Sequence, residues 1–409
     1  MTMEPRRLDA SEWDTWYRAL EWAFGGLAES PEERGLWREL TEYDRTLAQW
    51  DGDRVVGSIG AFSLGLSVPG GAVVPTAGVT MVGVAATHRR QGILRELMRR
   101  ALEDYREGDE PLAALTASEA GIYGRFGFGV ATRSVAVDID TARVTLNVPP
   151  GTDAVRLRVE EPGAELDRCE ALYAGLVGGR PGMLERRPGW EKVALLDPPQ
   201  DREGTSEMRL VLAERDGELV GYARYALKPD WAGGLPDGTV LVRDLDAVEP
   251  AAYAALLRFF LGTDLMGTVA LRNRPEDDAL LHMVSDIRRC RPRLMDRLYL
   301  RPVDVGAALA ARTYLTDVDV VLAVTDDFCP WNEGRWRLSG GAKGAVCERT
   351  NDPVDLAVHV RALGTAYLGG PSLSGLAAAG LAQELRPGAL TATATAFLSP
   401  VAPWLPHGF

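Results

Sequence analysis

The run His88-Arg89-Arg90-Gln91-Gly92 is the densest chemical signal in the chain. An apolar strand, Val82-Gly83-Val84, leads into it, and Ile93, Leu94, Leu97, Met98, Ala101 and Leu102 follow at helical spacing. A strand, a basic glycine-containing turn and a helix start together make an anion site. The unpaired N–H groups of the first helical turn point at the ligand, and the helix dipole favours negative charge. Gly92 leaves the backbone open to a phosphate, and Arg89 and Arg90 add charge-assisted contacts. The plainer alternative is a solvated helix start. A helix N-terminus favours acids, yet here the turn is basic and the acids, Glu96 and Glu103, come later.

These residues need elements to hold them. Residues 45–66 read as a hairpin turning at Asp51-Gly52, residues 72–85 as one or two strands, and 111–118 as a buried strand ahead of the Gly-rich, aromatic run EAGIYGRFGFG. The middle of the chain echoes this order. MRLVLAERDGELVGYARYAL (208–227) turns at Asp216-Gly217, a strand follows at 240–248, and a helix starts at Pro250. The echo has DAVEPAAYAA where the first copy has VAATHRRQGI, so it lacks the arginines and glycine, and Glu249 would repel a phosphate. A basic, proline-broken stretch suggests a boundary near 290–300. Beyond it we expect a helix at 303–312, strands at 355–363 and within DVDVVLAVTDD and RWRLSG, and helices at 371–379 and 388–397.

At 409 residues the chain has room for two to three domains. No apolar run approaches a membrane span, and the start, MTMEPRRLDASEW, lacks the apolar core of a secretory signal. Cys169, Cys290, Cys329 and Cys347 are scattered, as are His88, His282, His359 and His407, so neither a disulfide framework nor a metal site is expected. A reduced, cytoplasmic setting fits. A net charge of −13 argues against nucleic acid as the main partner.

Arg89-Arg90-Gln91-Gly92-Ile93-Leu94 resembles the pyrophosphate loop of the GNAT (Gcn5-related) N-acetyltransferases, Q/R-x-x-G-x-G/A, except that Leu94 stands at the last small position. The ligand this implies is coenzyme A. Three separated motifs narrow the resemblance to the Eis (enhanced intracellular survival) branch: TAGVTMVGVAATHRRQGILRELM, SEAGIYGRFGFGVAT and RALGTAYLGGPSLSGLAAAG, with a chain ending in Phe. They run in order across nearly the full length. The implied architecture is α/β (α+β): a catalytic GNAT domain over 1–150, a degenerate GNAT-like domain over 151–295 and a sterol-carrier-like α+β domain over 296–409. The family usually assembles as a homohexamer.

The resemblance also implies site residues. Transfer runs directly from acetyl-CoA to a primary amine, of aminoglycoside, polyamine or lysine type. An amine with a pKa of about 10.4 must shed a proton before attack, and the leaving thiolate benefits from an acid. Tyr123 is the implied acid and the terminal carboxylate on Phe409 the implied base. VAPWLPHGF, with Pro403, Trp404 and Pro406, reads as a pinned tail. The co-substrate is expected at the backbone of Val82, Gly83 and Val84, along Arg90, Gln91, Gly92, Ile93, Leu94 and Arg95, and at Ser118 and Glu119, with Arg89 assisting. Phe24 and Trp37 are the expected acceptor-pocket residues. Trp13, Trp16 and Trp22 cluster with them, and for most of these four Trp a packing role is expected. Near Phe24-Gly25-Gly26, and at Gly408, glycine stands where an acid would serve a polyamine, with Glu29, Glu32 and Glu33 as the nearby acids. The competing readings are a lipid- or sterol-binding protein with an inert GNAT part, and a coenzyme A sensor without turnover.

Overall fold

The computed structural model describes residues 4–409. Two helices, α1 (Trp13–Ala23) and α2 (Pro31–Leu40), come first; Ser30 caps α2 by accepting the Glu33 N–H at 3.0 Å, and Pro31 takes its first turn. The hairpin of β1 (Leu47–Asp51) and β2 (Arg54–Ser67) turns at Gly52–Asp53, one residue beyond the expected Asp51-Gly52. Asp51 still pairs with Arg54, and Gly52 (φ 61) takes the left-handed first turn position. Then come β3 (Val73–Val84), α3 (Ile93–Glu107), β4 (Leu112–Thr116), a 3-10 turn at Tyr123–Phe126 and β5 (Gly129–Val130). The middle of the chain holds β6 (Arg133–Asp140), β7 (Arg156–Glu160), α4 (Leu166–Val177), β8 (Leu184–Glu185), β9 (Arg209–Arg215), β10 (Glu218–Lys228), β11 (Gly238–Ala247), α5 (Pro250–Leu261), β12 (Met266–Arg274), β13 (Arg293–Asp296) and β14 (Leu298–Pro302). The remainder is α6 (Val305–Ala310), β15 (Val318–Thr325), β16 (Gly334–Gly341), β17 (Gly344–Arg349), β18 (Leu356–His359), α7 (Val360–Ala366), α8 (Leu373–Ala378), β19 (Ala382–Glu384) and α9 (Ala389–Phe397).

The chain divides into two compact units. Among the described residues one comprises 4–132, 180–185 and 297–409, and the other 133–179 and 186–296. In the first, a mixed sheet runs β1-β2-β3-β4-β14-β5, with β8 on the far end of β2, and a second sheet runs β17-β16-β15-β18-β19. Helix α3 buries Ile93, Leu97, Met98, Ala101, Leu102 and Tyr105 against the first sheet, the stripe that the helical spacing predicts. In the other unit the order is β13-β6-β12-β11-β10-β9-β7, with α5 buried against it along Ala251–Leu257 and Phe260. Its hairpin turns at Asp216–Gly217 as expected, both residues left-handed (φ 52 and 86). The same topology occurs twice, and a separate five-stranded sheet with its helices follows it in the chain.

Three features differ from the sequence reading. β6, read as part of the stretch 1–150, pairs with β12 and β13 in the second sheet. β14, read as C-terminal, fills the gap between β4 and β5 in the first. Each sheet is thus completed by a strand distant in sequence, and strand pairing of that range leaves no local signal. The segment 355–363 is strand only to His359. There the imidazole accepts the Arg361 N–H at 3.0 Å, capping α7, so the alternation Leu356, Val358, Val360 ends at a helix start. Among the described residues, no helix is long and apolar enough to cross a membrane.

Candidate active site

The site begins as a split in the first sheet. β3 and β4 pair in parallel from Thr76–Leu112 to Gly78–Ala114 and no further, although β3 runs on to Val84 and β4 to Thr116. One cause is visible. β3 carries a bulge in which Met81 and Val82 stand opposite Ile59, with Met81 left-handed (φ 53), and this turns the strand away. β4 itself stays in place, paired along its other edge with β14 from Leu112–Pro302 to Thr116–Leu298. The gap is the mouth of a cleft of about 940 Å³ lined by Val79–Val84 on one side and Thr116, Ser118, Glu119, Ile122 and Tyr123 on the other.

At its end lies the basic loop. A 3-10 turn at Ala86–His88 leads to Arg90 (φ 64) and Gly92 (φ 88), both left-handed. Gly92 is the N-cap of α3 and offers no side-chain cap, so the N–H groups of the first turn stay open. Arg89, Arg90, Gly92, Ile93, Leu94 and Arg95 line the cleft. Gln91 does not: its amide turns back to donate to the Thr87 carbonyl at 3.4 Å. The arrangement fits the diphosphate and pantetheine of coenzyme A: uncapped donors, arginines and an unpaired strand edge in one groove.

Tyr123 sits 8% exposed at the wall of this cleft, its ring edge-on to Phe128 at 6.2 Å. Burial pushes its phenol above the usual value near 10, and the Glu119 carboxylate adds to that. Its glycine-rich surroundings have a packing cause. A Cβ on Gly124 would stand 3.1 Å from the Arg361 guanidinium, one on Gly127 would meet Arg301 and Val360, and one on Gly129 would meet the Arg361 carbonyl and Thr365. The two sequence motifs around Tyr123 and Arg361 are therefore two sides of one contact. Arg301, fully buried, donates to the Phe126 carbonyl and pairs with Asp326 at 2.5 Å; Asp326 also accepts the N–H groups of Phe328 and Cys329. Phe328 then reaches both halves of the cleft. Its ring meets Phe126 at 5.0 Å, and the Arg95 guanidinium lies 5.5 Å from its centroid.

The tail enters the same cleft, and Phe409 lines it. Trp404 and Leu405 are 6% and 2% exposed. The Trp404 N–H donates to the Pro181 carbonyl at 2.9 Å, and Arg180 donates to the Ala402 carbonyl at 2.6 Å. β8, which follows this strap, pairs with β2. The tail is thus clamped by a segment from the middle of the chain.

Of the aromatic residues read as pocket candidates, Phe24 lines the cleft, 60% exposed, while Trp37 does not; it stacks on Phe62 at 6.4 Å. Trp13 and Trp16 are core, donating to Thr41 and Ser58 at 3.0 and 2.8 Å. Sequence reasoning missed Ala23, Val79, Thr80, Met81, His88, Thr116, Ile122, Arg125 and Phe126 as lining residues. Ile122 and Arg125 flank Tyr123 and were findable there, whereas nothing local announces the bulge at Met81. Burial pushes the thiols of Cys169, Cys329 and Cys347 up to about 12 and that of Cys290 to about 11, so none is primed as a nucleophile.

The second unit has the same split but closed. β11 and β12 pair in parallel only to Val242–Leu271, and beyond that Arg274 bridges the gap. It donates to the Leu245 carbonyl of β11 at 2.8 Å and to Asp278 at 2.7 Å, while the Tyr253 hydroxyl donates to Asp278 at 2.5 Å. Where the first unit has Gly92 at the helix start, this one has Glu249, paired with Arg215 at 2.9 Å.

A splayed parallel pair opening onto an uncapped, basic helix start defines the GNAT class of acyltransferases. Residues 4–131 and 182–302 each match an acetyltransferase (GNAT) domain, and residues 305–406 match a sterol carrier protein domain. The chain is 60% identical over 409 residues to an uncharacterized N-acetyltransferase of Streptomyces avermitilis, covering all of both chains. It is 34% identical over 365 residues to the N-acetyltransferase Eis of Mycobacterium tuberculosis, covering 85% of each. The crystal structure of Eis1 from Mycobacterium abscessus superposes with a TM-score of 0.85 at 33% identity, covering 99% of this chain and all of that one. The chain belongs to the Eis family of GNAT N-acetyltransferases. It is an acetyltransferase, and enzymes of this class use acetyl-CoA.

Proposed function

We propose that the chain transfers an acetyl group from acetyl-CoA directly to a primary amine, with Tyr123 as general acid and the Phe409 carboxylate as general base. One observation carries this: Tyr123 and Phe409, from opposite parts of the sequence, line the same cleft as the Gly92 anion site. Val82, Gly83 and Val84 would hold the pantetheine by their backbone. Arg89, Arg90, Gly92, Ile93, Leu94 and Arg95 would hold the diphosphate, and Ser118 and Glu119 would border the acyl end; Gln91 would serve through the loop's shape. The Phe409 carboxylate, ionised at neutral pH, accepts the proton that the ammonium must lose before attack. Tyr123, a phenol protonated at neutral pH and held further in that form by burial, donates to the thiolate sulfur as the C–S bond breaks. Buried, unactivated cysteines support direct transfer over an acyl-enzyme.

The tail also bears on the competing readings. A lipid carrier has no use for a clamped C-terminus in the first unit's cleft, and a sensor has none for an acid and a base there. A cytoplasmic setting and a homohexamer complete the proposal. The four free, buried thiols suit the first, and the exposed Trp231 and Leu235 are apolar surface that the second would cover.

The test is thiol release from acetyl-CoA with a primary amine by wild type and Tyr123→Phe. Loss of the acid lowers kcat on the order of 10²-fold while the acetyl-CoA dissociation constant stays within about twofold. A wild-type rate removes Tyr123 from the mechanism.

A further inference from the structure

The ionisable lining of the cleft is one-sided. Arg89, Arg90, Arg95 and Arg125 face it, against Glu119 and the Phe409 terminus. The acids of the N-terminal helices do not offset this. Glu21 is paired with Arg34 at 2.7 Å, and Glu29 accepts the Tyr17 hydroxyl and is pushed up by burial. Neither these nor Glu32 or Glu33 lines the cleft. What α1 presents there is apolar: Ala23 and Phe24, continued on the strand by Met81. Phe24 is 60% exposed, and Trp22 and Leu27 beside it in sequence are 75% and 86% exposed. The turn needs its glycines, because Gly25 and Gly26 are both left-handed and a Cβ on Gly26 would stand 3.3 Å from the Trp22 ring.

With Arg89, Arg90 and Arg95 given to the diphosphate, the carboxylates left in the lining for a second or third cation on an acceptor are only Glu119 and the Phe409 terminus, and a charge left unpaired there discriminates strongly against a ligand. An apolar body would instead cover Phe24 and Met81. We propose that the acceptor is a primary amine borne singly on an apolar body, of arylalkylamine or alkylamine type, rather than a polyamine or an aminoglycoside. Its apolar part lies against Phe24 and Met81, and its amino group points toward Phe409. This rests on the functional reading above.

The experiment compares kcat/KM of the full chain for 2-phenylethylamine, spermidine and kanamycin at saturating acetyl-CoA. Phenylethylamine is expected to exceed both others at least tenfold. Phe24→Ala lowers its kcat/KM about tenfold through KM, with the acetyl-CoA KM unchanged, and Phe24→Asp shifts the preference toward spermidine. Phe24 is too exposed for either variant to threaten folding. Spermidine or kanamycin matching phenylethylamine, or an unchanged ratio in Phe24→Ala, overturns the proposal and leaves amine acetylation standing. No thiol release with any amine overturns both.

Discussion

The ring of Phe409 lies against Gly78: a Cβ built on Gly78 would stand 3.1 Å from Cε2 of Phe409. Gly78 is also the last residue of β3 paired with β4, so the chain's final side chain rests where the sheet begins to split. A larger residue at 78 must move the tail, the still nearer Leu64 side chain, or both. Gly78→Ala should cost about 1–3 kcal/mol of stability by overpacking and lower kcat more than it weakens acetyl-CoA binding. Thermal unfolding and steady-state kinetics check this, and a fall in acetyl-CoA affinity without loss of kcat would contradict it.

The loop makes a separate prediction. Arg90→Ala removes charge-assisted contacts worth about 1.5–3 kcal/mol, so acetyl-CoA should bind about ten- to hundredfold more weakly, with a smaller salt dependence. Gly92→Ala meets open space but a φ of 88, so its effect comes from roughly 1–2 kcal/mol of backbone strain at the helix start. Calorimetric titration with coenzyme A separates the two variants.

The pH dependence follows from Tyr123. Burial raises its pKa above the usual value near 10, so with Tyr123 as the proposed acid kcat should fall only above pH 10. The sign for stability is the same: the buried neutral phenol favours folding at low pH, and that contribution is lost as pH rises from about 10 through the folded-state pKa. Glu119→Gln removes the smaller cause and should move the basic limb to lower pH. A limb that does not move assigns it to another group.

Much of this was legible in the residues. HRRQG ahead of a helical stripe announced a basic turn at an uncapped helix start, Asp216-Gly217 announced its hairpin, and the proline-aromatic tail announced an anchored end. What was hidden depends on distant pairing. β14 in the first sheet, the strap at Arg180 and Pro181 that holds Trp404, and the bulge at Met81 have no local signature. Trp37 was misleading because a Trp on a helix reads alike whether it faces a cleft or Phe62.

Phe328 links the C-terminal portion to the first turn of α3. Phe328→Ala should cost about 3–5 kcal/mol of stability, as expected for a buried ring. Phe328→Leu keeps most of the volume but loses the ring face under Arg95, so the acetyl-CoA KM should rise about two- to fivefold at unchanged kcat, the size of a cation–π contact. An unchanged KM in the Leu variant would leave Phe328 with a packing role alone.

The most direct test of the terminal carboxylate is a chain extended by two glycines beyond Phe409, assayed for turnover and for coenzyme A binding. The proposed base is displaced while the loop at Gly92 is untouched, so kcat should fall on the order of 10²-fold or more with the coenzyme A dissociation constant unchanged. Full turnover in the extended chain would contradict the account, because no carboxylate would then remain on Phe409.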